Sequence, residues 1–453
     1  MPNAAETFAA HVAGTQFADI PPHVIARAKV FVLDTLGVGI AGSSAQGTAE
    51  LLASARLWGE GTDAAIWGRS DRLPPHAACF LNGFAVHCQE YDCVHEVGVL
   101  HPMATLLPAV IAHAERRGGI SGRDFLTAVT VGVDVSAGLG IASTQGLRFF
   151  RPATAGGFGA AAAVARLMGM DAETIVNVFG IQLAQTSGTM QAHAEASMVL
   201  PMQVAFNSRA ALTSCDIAGT GLTAPRGSID GVYGYLPLIE GGSDLPPVLE
   251  SLSKIWQVAE LSHKPYPAGR ATHGALEGVE VLRCQYGFKT DDIASFTVKV
   301  PPLTARLVSR PDVPDPSPNY ARLCCAYVVA KMLQHGKLDP SHYRGAELTD
   351  PETHRLARLV RVETVDNPDP NALAPQAVQI ELKDGRLSDW SCDAMLANPA
   401  RPLSRDAHLA KFRRCWDFAA EPLGATKREA LIEMVDRLED VTDIRELVRL
   451  LTP

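Results

Sequence analysis

Positive charge is in short supply in this chain. Lysine and arginine number 40 against 49 aspartates and glutamates, a formal net charge of −9 over 453 residues. The cations are scattered, and the densest groups, Arg401–Arg405 and Lys411–Arg414, sit beside acids. Proteins that grip phosphate backbones carry a basic excess or stripe, so nucleic-acid binding is not expected. Long apolar runs are missing as well. The Ala-rich stretch Phe158–Met170 is broken by Arg166, and the opening MPNAAETFAAHVAG has neither the basic start nor the apolar stretch of a signal peptide. The expectation is a soluble, cytoplasmic protein without a membrane partner. Nine cysteines, an odd number with no repeating spacing, do not make a disulfide framework, and reduced thiols are expected. No HExxH, CxxC or paired-histidine spacing points to a metal. No GxxxxGK[ST] supports nucleotide binding, and no GxSxG supports a serine hydrolase.

What is there is an ordinary globular balance, 47% hydrophobic and 20% charged, at a length that suggests two or three folding units of roughly 150 residues. The first 260 residues read as helical. Ile25–Gly42 has a broad apolar face with small residues for close contact. Thr105–Arg117 ends at Gly118-Gly119, and Ser121 with Asp124 marks a capped helix start. Ala160–Met168, Ala172–Ser187 and Val204–Ala218 continue the pattern. Near 262 the texture changes. His263-Lys264-Pro265-Tyr266-Pro267 forces a turn, Ile293–Val300 alternates like a half-buried strand, and Val360–Val365 and Ala377–Leu382 are further strands, the last closed by Asp384-Gly385. Tyr320–His335 reads as a helix, as do Lys427–Leu438 and Thr442–Leu451. The fold class expected is mainly α: a large helical domain over 1–261, completed by 396–453, with a smaller α+β domain over 262–395.

The densest polar constellation is VHCQEYDCVHEVGVLHP, residues 86–102, which holds His87, Glu90, Asp92, His95, Glu96 and His101 between apolar flanks. In a helix, His87, Glu90, Tyr91, Val94 and His95 would share a face. Carboxylates and imidazoles gathered in a partly desolvated cleft are a common way to place a proton donor or acceptor near neutral pH. The plainer alternative is a solvated loop with ordinary hydrogen-bonded histidines, and a metal site is the sharper one. Lys264, beside the Pro-rich turn, is a second candidate, able to hold a carboxylate or act as a base if buried. Taken alone, a lysine there is more often an exposed surface residue. Arg148 and Arg151 precede a Pro-Ala-Thr-Ala-Gly-Gly stretch read as a loop into a helix from Gly159, where backbone N–H groups favour anions.

Six blocks in order carry a family resemblance: AKVFVLDTLGVGIAG (28–42), NGFAVHCQEYDCVH (82–95), LHPMATLLPAVIAHAE (100–115), ISGRDFLTAVTVGVDV (120–135), ATAGGFGAAAAVARLMGM (153–170) and KPYPAGRATH (264–273). The chain resembles MmgE/PrpD proteins along nearly its whole length. The resemblance implies a helical domain with an α+β lid, an active site in the cleft between them, a homodimer, and proton handling at a carbon α to a carboxylate of a small organic acid, with no cofactor and no metal. It makes His101, of the His-Pro pair, and Lys264 the catalytic residues, and places Glu90, Asp92, His95, Arg151 and Tyr327 around the substrate. The chain also departs from the family's pattern. An acid becomes Cys93, a threonine becomes Val94, a histidine falls on Phe150 and a lysine falls on Met198. Fewer polar partners for anionic oxygens imply a substrate less highly charged than a tricarboxylate, or differently shaped, with Arg151 or Arg270 restoring some charge. A hydro-lyase is the leading expectation. An epimerase or isomerase, and a non-catalytic binding protein of the same fold, are the alternatives.

Overall fold

The computed structural model describes residues 3–453. Its main helices are α1 (Ala4–Gly14), α2 (Pro22–Gly42), α3 (Pro75–His87), α4 (Pro102–Arg117), α5 (Gly122–Ala142), α6 (Arg151–Leu167), α7 (Ala172–Gln185), α8 (Val199–Ala218), α9 (His273–Tyr286), α10 (Cys325–His335), α11 (Arg405–Trp416) and α12 (Ala425–Asp436). Local chemistry accounts for many of the ends. Proline sits in the first turn of α2, α3, α4 and α6, where its missing N–H costs nothing and its fixed φ suits the helix. Ser121 caps α5 by accepting from the Asp124 N–H, and Gly118 follows α4 with φ at +67°, the left-handed conformation glycine adopts without strain.

Strands β1 (Ile293–Val300), β2 (Val360–Thr364), β3 (Gln376–Leu382) and β4 (Leu387–Cys392) form one sheet in the order β2-β1-β3-β4. β1 runs parallel to β2 and antiparallel to β3, and β3 and β4 form a hairpin. Buried apolar residues fall into two large groups. One is built from α1–α8 together with Phe412, Trp416, Leu431 and Leu451 of the C-terminal stretch. The other gathers α9, α10 and the sheet, from Tyr266 to Met395, with Val99 and Leu147 reaching in from the helical side.

Several local expectations need correction. The stretch before Gly159 is no loop, because α6 already begins at Arg151. Tyr320–His335 is two helices broken at Leu323–Cys324, and Thr442–Leu451 reduces to a turn of helix at Arg445–Val448. The turn at Asp384-Gly385 leads into a fourth strand that alternation alone did not reveal. The GxGxxG spacing at Gly37, Gly39 and Gly42 lies inside α2 rather than after a strand, so it does not cradle a phosphate. It serves packing instead: a Cβ on Gly42 would lie 1.8 Å from the Ala85 carbonyl oxygen of α3. Helix α5 is long and apolar enough to cross a membrane by length and composition, yet 94% of its most apolar window is buried inside the molecule.

Candidate active site

Helix α3 stops at His87, and Glu90 takes φ +51°, so the constellation at 86–102 is not one helical face. It is a buried loop between α3 and α4, pinned by antiparallel bridges of Val94 with Ser262 and His95 with Leu100. The loop's path returns His101, held as the cap before Pro102 of α4, to His87 at the end of α3, with ring centroids 5.0 Å apart.

Between the two rings lies one carboxylate. Asp92 Oδ2 is 3.0 Å from His87 Nδ1 and 3.2 Å from His101 Nδ1. His101 Nδ1 is also 3.0 Å from the Cys93 carbonyl oxygen. A carbonyl and a carboxylate only accept, so His101 Nδ1 carries the proton, and in the neutral ring Nε2 is the lone-pair nitrogen. Burial foremost, with Lys264 and His87 adding to it, holds His101 below its ordinary range against the pull of Asp92. Burial would also lower His87, but Asp92 and Glu90 outweigh it and raise it. Burial alone would raise Asp92, yet the two imidazoles keep it well below the carboxylate range.

Glu90 continues the chain. Its Oε2 accepts from Lys264 Nζ at 2.8 Å, and its Oε1 is 3.8 Å from His87 Nε2. Burial opposes its charge, but Lys264, His87 and His101 hold it down at about 2. Glu90 and His101 face a cavity whose other walls are mainly apolar, among them Val94, Val99, Leu147, Phe150, Met190 and Leu323. His193 is a further polar wall residue. Its Nδ1 is 3.2 Å from Arg310 Nη2, and an arginine only donates, so His193 keeps its proton on Nε2. Burial, then Arg310, lowers it to about 4.

The structure therefore sorts the sequence candidates. His101, Glu90 and Asp92 come together. Lys264 joins them from behind, fully buried with its Nζ given to Glu90, and does not form the cavity wall. His95 lies outside this cavity: its Nε2 pairs with Gln257 and its Nδ1 accepts from the Gly98 N–H. Arg151 likewise turns inward, spending its guanidinium on Glu240 and the Gly98 carbonyl. Arg270 touches the wall, but its charge goes to Glu96 at 2.7 Å. Tyr327 does not reach the cavity, since its hydroxyl donates to carbonyls of residues 342 and 347 within the second core. Phe150 stands on the wall, its ring 5.6 Å from that of His87. Met198 does not; it packs beside Phe80 and Phe84, and Met190 supplies the thioether at the cavity instead. His193 lay outside any motif, and only the fold brings it to the cavity wall, with Arg310 behind it.

Two groups of three donor atoms have spacings a metal could use. In His87, Asp92 and His101 the nitrogens facing the carboxylate carry protons, which makes the group a hydrogen-bonded chain. In Asp34, His263 and His408 the ammonium of Lys411 lies 2.7 Å from Asp34 and already supplies the cation.

Comparison with known proteins agrees with this architecture. A family model described as the MmgE/PrpD N-terminal domain matches residues 6–247, and one described as the MmgE/PrpD C-terminal domain matches residues 266–440. A cis-aconitate decarboxylase of Mus musculus is 28% identical over 464 residues, covering 98% of this chain and 93% of the relative. The protein of that name from Homo sapiens is 27% identical, covering 98% and 94%, and one from Aspergillus terreus is 26% identical, covering 95% and 92%. With both family domains matched in order across nearly the whole length, the chain belongs to the MmgE/PrpD family.

Proposed function

We propose that this chain is a lyase that moves a proton at the carbon α to the carboxylate of a small organic acid, with side chains alone carrying the chemistry, and that it is a hydro-lyase. The observation that carries the reading is His101. Its Nδ1–H is fixed by two acceptors, which leaves a lone pair on Nε2 at a mainly apolar wall, the arrangement a general base needs. Decarboxylation, the activity named for the relatives, also requires a proton to be handled on carbon beside a carboxylate.

Charge bookkeeping supports a monocarboxylate. Glu90 is offset by Lys264, Asp92 by His87 and Glu96 by Arg270. Arg310 pairs with no carboxylate among the described residues, and its Nε and Nη1 are buried without a partner. Arg322 also pairs with no carboxylate among them, reaching Gln89 and lying over the Tyr343 ring with its Nε buried without a partner, but it is Arg310 that contacts a cavity-wall residue, His193. The Nε2–H of His193 on the cavity wall, with Arg310 behind it at Nδ1, is then the group that holds one substrate carboxylate, and the Arg310 charge behind it favours the negative charge that builds there in the transition state. His101 Nε2 takes the α proton, electrons move into the new C=C, and the β hydroxyl leaves with that proton as water. An epimerase is the second reading: it needs two proton-handling groups on opposite faces of the carbon, and Glu90, His101 and His193 are polar cavity residues able to supply them.

Proton NMR in D₂O with a panel of hydroxy, unsaturated and amino acids tests this. A hydro-lyase gives vinylic signals from a hydroxy monocarboxylate, an epimerase washes deuterium into recovered substrate with inversion, and a decarboxylase releases CO₂. His101→Asn is expected to lower kcat by at least ~10²-fold, and Arg310→Gln to raise KM by roughly tenfold or more. Efficient dehydration of citrate-type acids would overturn the monocarboxylate reading. Binding of an acid without turnover would favour a non-catalytic protein of the same fold.

A further inference from the structure

We propose that His87 is a positioning residue for His101: it shares Asp92 Oδ2 with the base, fixes that carboxylate, and holds a second proton against Glu90 that keeps His101 from becoming charged. The inference rests on the assignment of His101 as the base. It deepens that assignment by giving a role to an imidazole that touches neither substrate nor cavity.

The geometry forces the proton count. His87 Nδ1 faces a carboxylate at 3.0 Å and must donate. Were the ring neutral, Nε2 would be a bare lone pair, buried, with no donor near it and a carboxylate oxygen of Glu90 at 3.8 Å. Lone pair against carboxylate is repulsive, whereas N–H against carboxylate is attractive. The doubly protonated ring is therefore the form this site stabilises, in line with the rise that Asp92 and Glu90 impose on His87. The groups facing it are Glu90 and Asp92 from the loop, His101 at the start of α4 and Lys264 from the segment after 262, with the Phe150 ring on the α6 side.

The consequence for His101 follows from sharing. An aspartate bound to one histidine raises that histidine's affinity for a proton. Here the same oxygen already serves a cation whose ring centroid is 5.0 Å from that of His101. Asp92 therefore orients His101 and sets its tautomer while its charge is largely spent on His87. His101 stays neutral and ready to accept the α proton. Once charged, it faces an imidazolium and the Lys264 ammonium, which favours giving the proton to the leaving group.

Selective ¹⁵N-histidine labelling of the full chain tests this without turnover, so a chain that converts no acid would sink the lyase reading and leave this one to be judged separately. Imidazole ¹⁵N shifts are followed against pH in the parent, in His87→Asn, which keeps a donor for Asp92 and removes the charge, and in His87→Gln. Signals are assigned by their loss in His87→Asn and His101→Asn. The expected result is a His87 ring protonated on both nitrogens at pH 7, a His101 ring protonated on Nδ1 alone, and a His101 midpoint that rises by roughly one unit in either His87 variant. A purely structural role would change thermal stability and leave that midpoint in place. A neutral His87 ring in the parent at pH 7, or an unmoved His101 midpoint in the variants, overturns the proposal. Should both His87 variants fail to fold, the His87 signal in the parent is assigned by its shift in His101→Asn, the His101 ring lying 5.0 Å away, and its protonation decides alone.

Discussion

At the scale of single residues, Glu90 carries the most testable consequence. It sits on the cavity wall while its charge is held by a lysine with no exposed surface. Replacing it by glutamine leaves Lys264 as an unpaired buried cation. Breaking a buried pair from one side costs about 3–5 kcal/mol, so Glu90→Gln should lower the free energy of unfolding by that order in a urea titration at pH 7. The pH dependence has a definite sign. The folded value of about 2 lies below the ordinary 4.5, so the stabilisation is complete above 4.5 and is lost as pH falls toward 2. In the parent, acid unfolding should steepen within that window, and in Glu90→Gln this component should be absent. The residues here were only partly legible beforehand. Histidines and acids crowded between apolar flanks marked Glu90, Asp92 and His101, because polar side chains in such a setting need partners. The same crowding marked His95, which the fold uses only to brace the loop through Gln257 and Gly98.

At the scale of elements, the site depends on how closely helices approach. A Cβ on Gly42 of α2 would fall 1.8 Å from the Ala85 carbonyl oxygen of α3, two residues before His87. A backbone carbonyl cannot swing aside as a flexible side chain can. Gly42→Ala should therefore cost about 3 kcal/mol through overpacking and shift the end of α3, lowering activity beyond what the lost stability explains. Thermal unfolding and kcat measured together check it; an active, fully stable Gly42→Ala would show that the helices part without cost. A similar approach joins α5 and α6, where a Cβ on Gly159 would lie 2.4 Å from the Gly132 carbonyl oxygen. The abundance of small residues announced tight packing, but which glycine meets which backbone is a property of the crossing, not of either helix.

At the scale of the whole molecule, the C-terminal stretch closes what the first helices begin. Phe412, Trp416, Leu431, Leu447 and Leu451 are buried in the core built by α1–α8, and Lys411 neutralises Asp34 of α2 while donating to the Tyr91 carbonyl beside the site. A chain ending at residue 403 would expose that apolar surface and leave Asp34 buried without its cation. It should fail to give a cooperative unfolding transition by circular dichroism; a sharp transition would show that the helical part folds without its C-terminal closure.

The sequence by itself determined the helices and strands whose ends carry local signals, from Ser121 at α5 to Asp384-Gly385 between β3 and β4, together with the membership that six ordered blocks announced. Periodicity, capping and turn chemistry act over a few residues and can be read along the chain. Only the tertiary structure decided where each charge goes. Arg151 turned to Glu240, Lys264 to Glu90 and Arg270 to Glu96, because an ion pair is chosen by which distant segments share a buried volume, and burial makes an unpaired charge too costly to leave where spacing alone would put it.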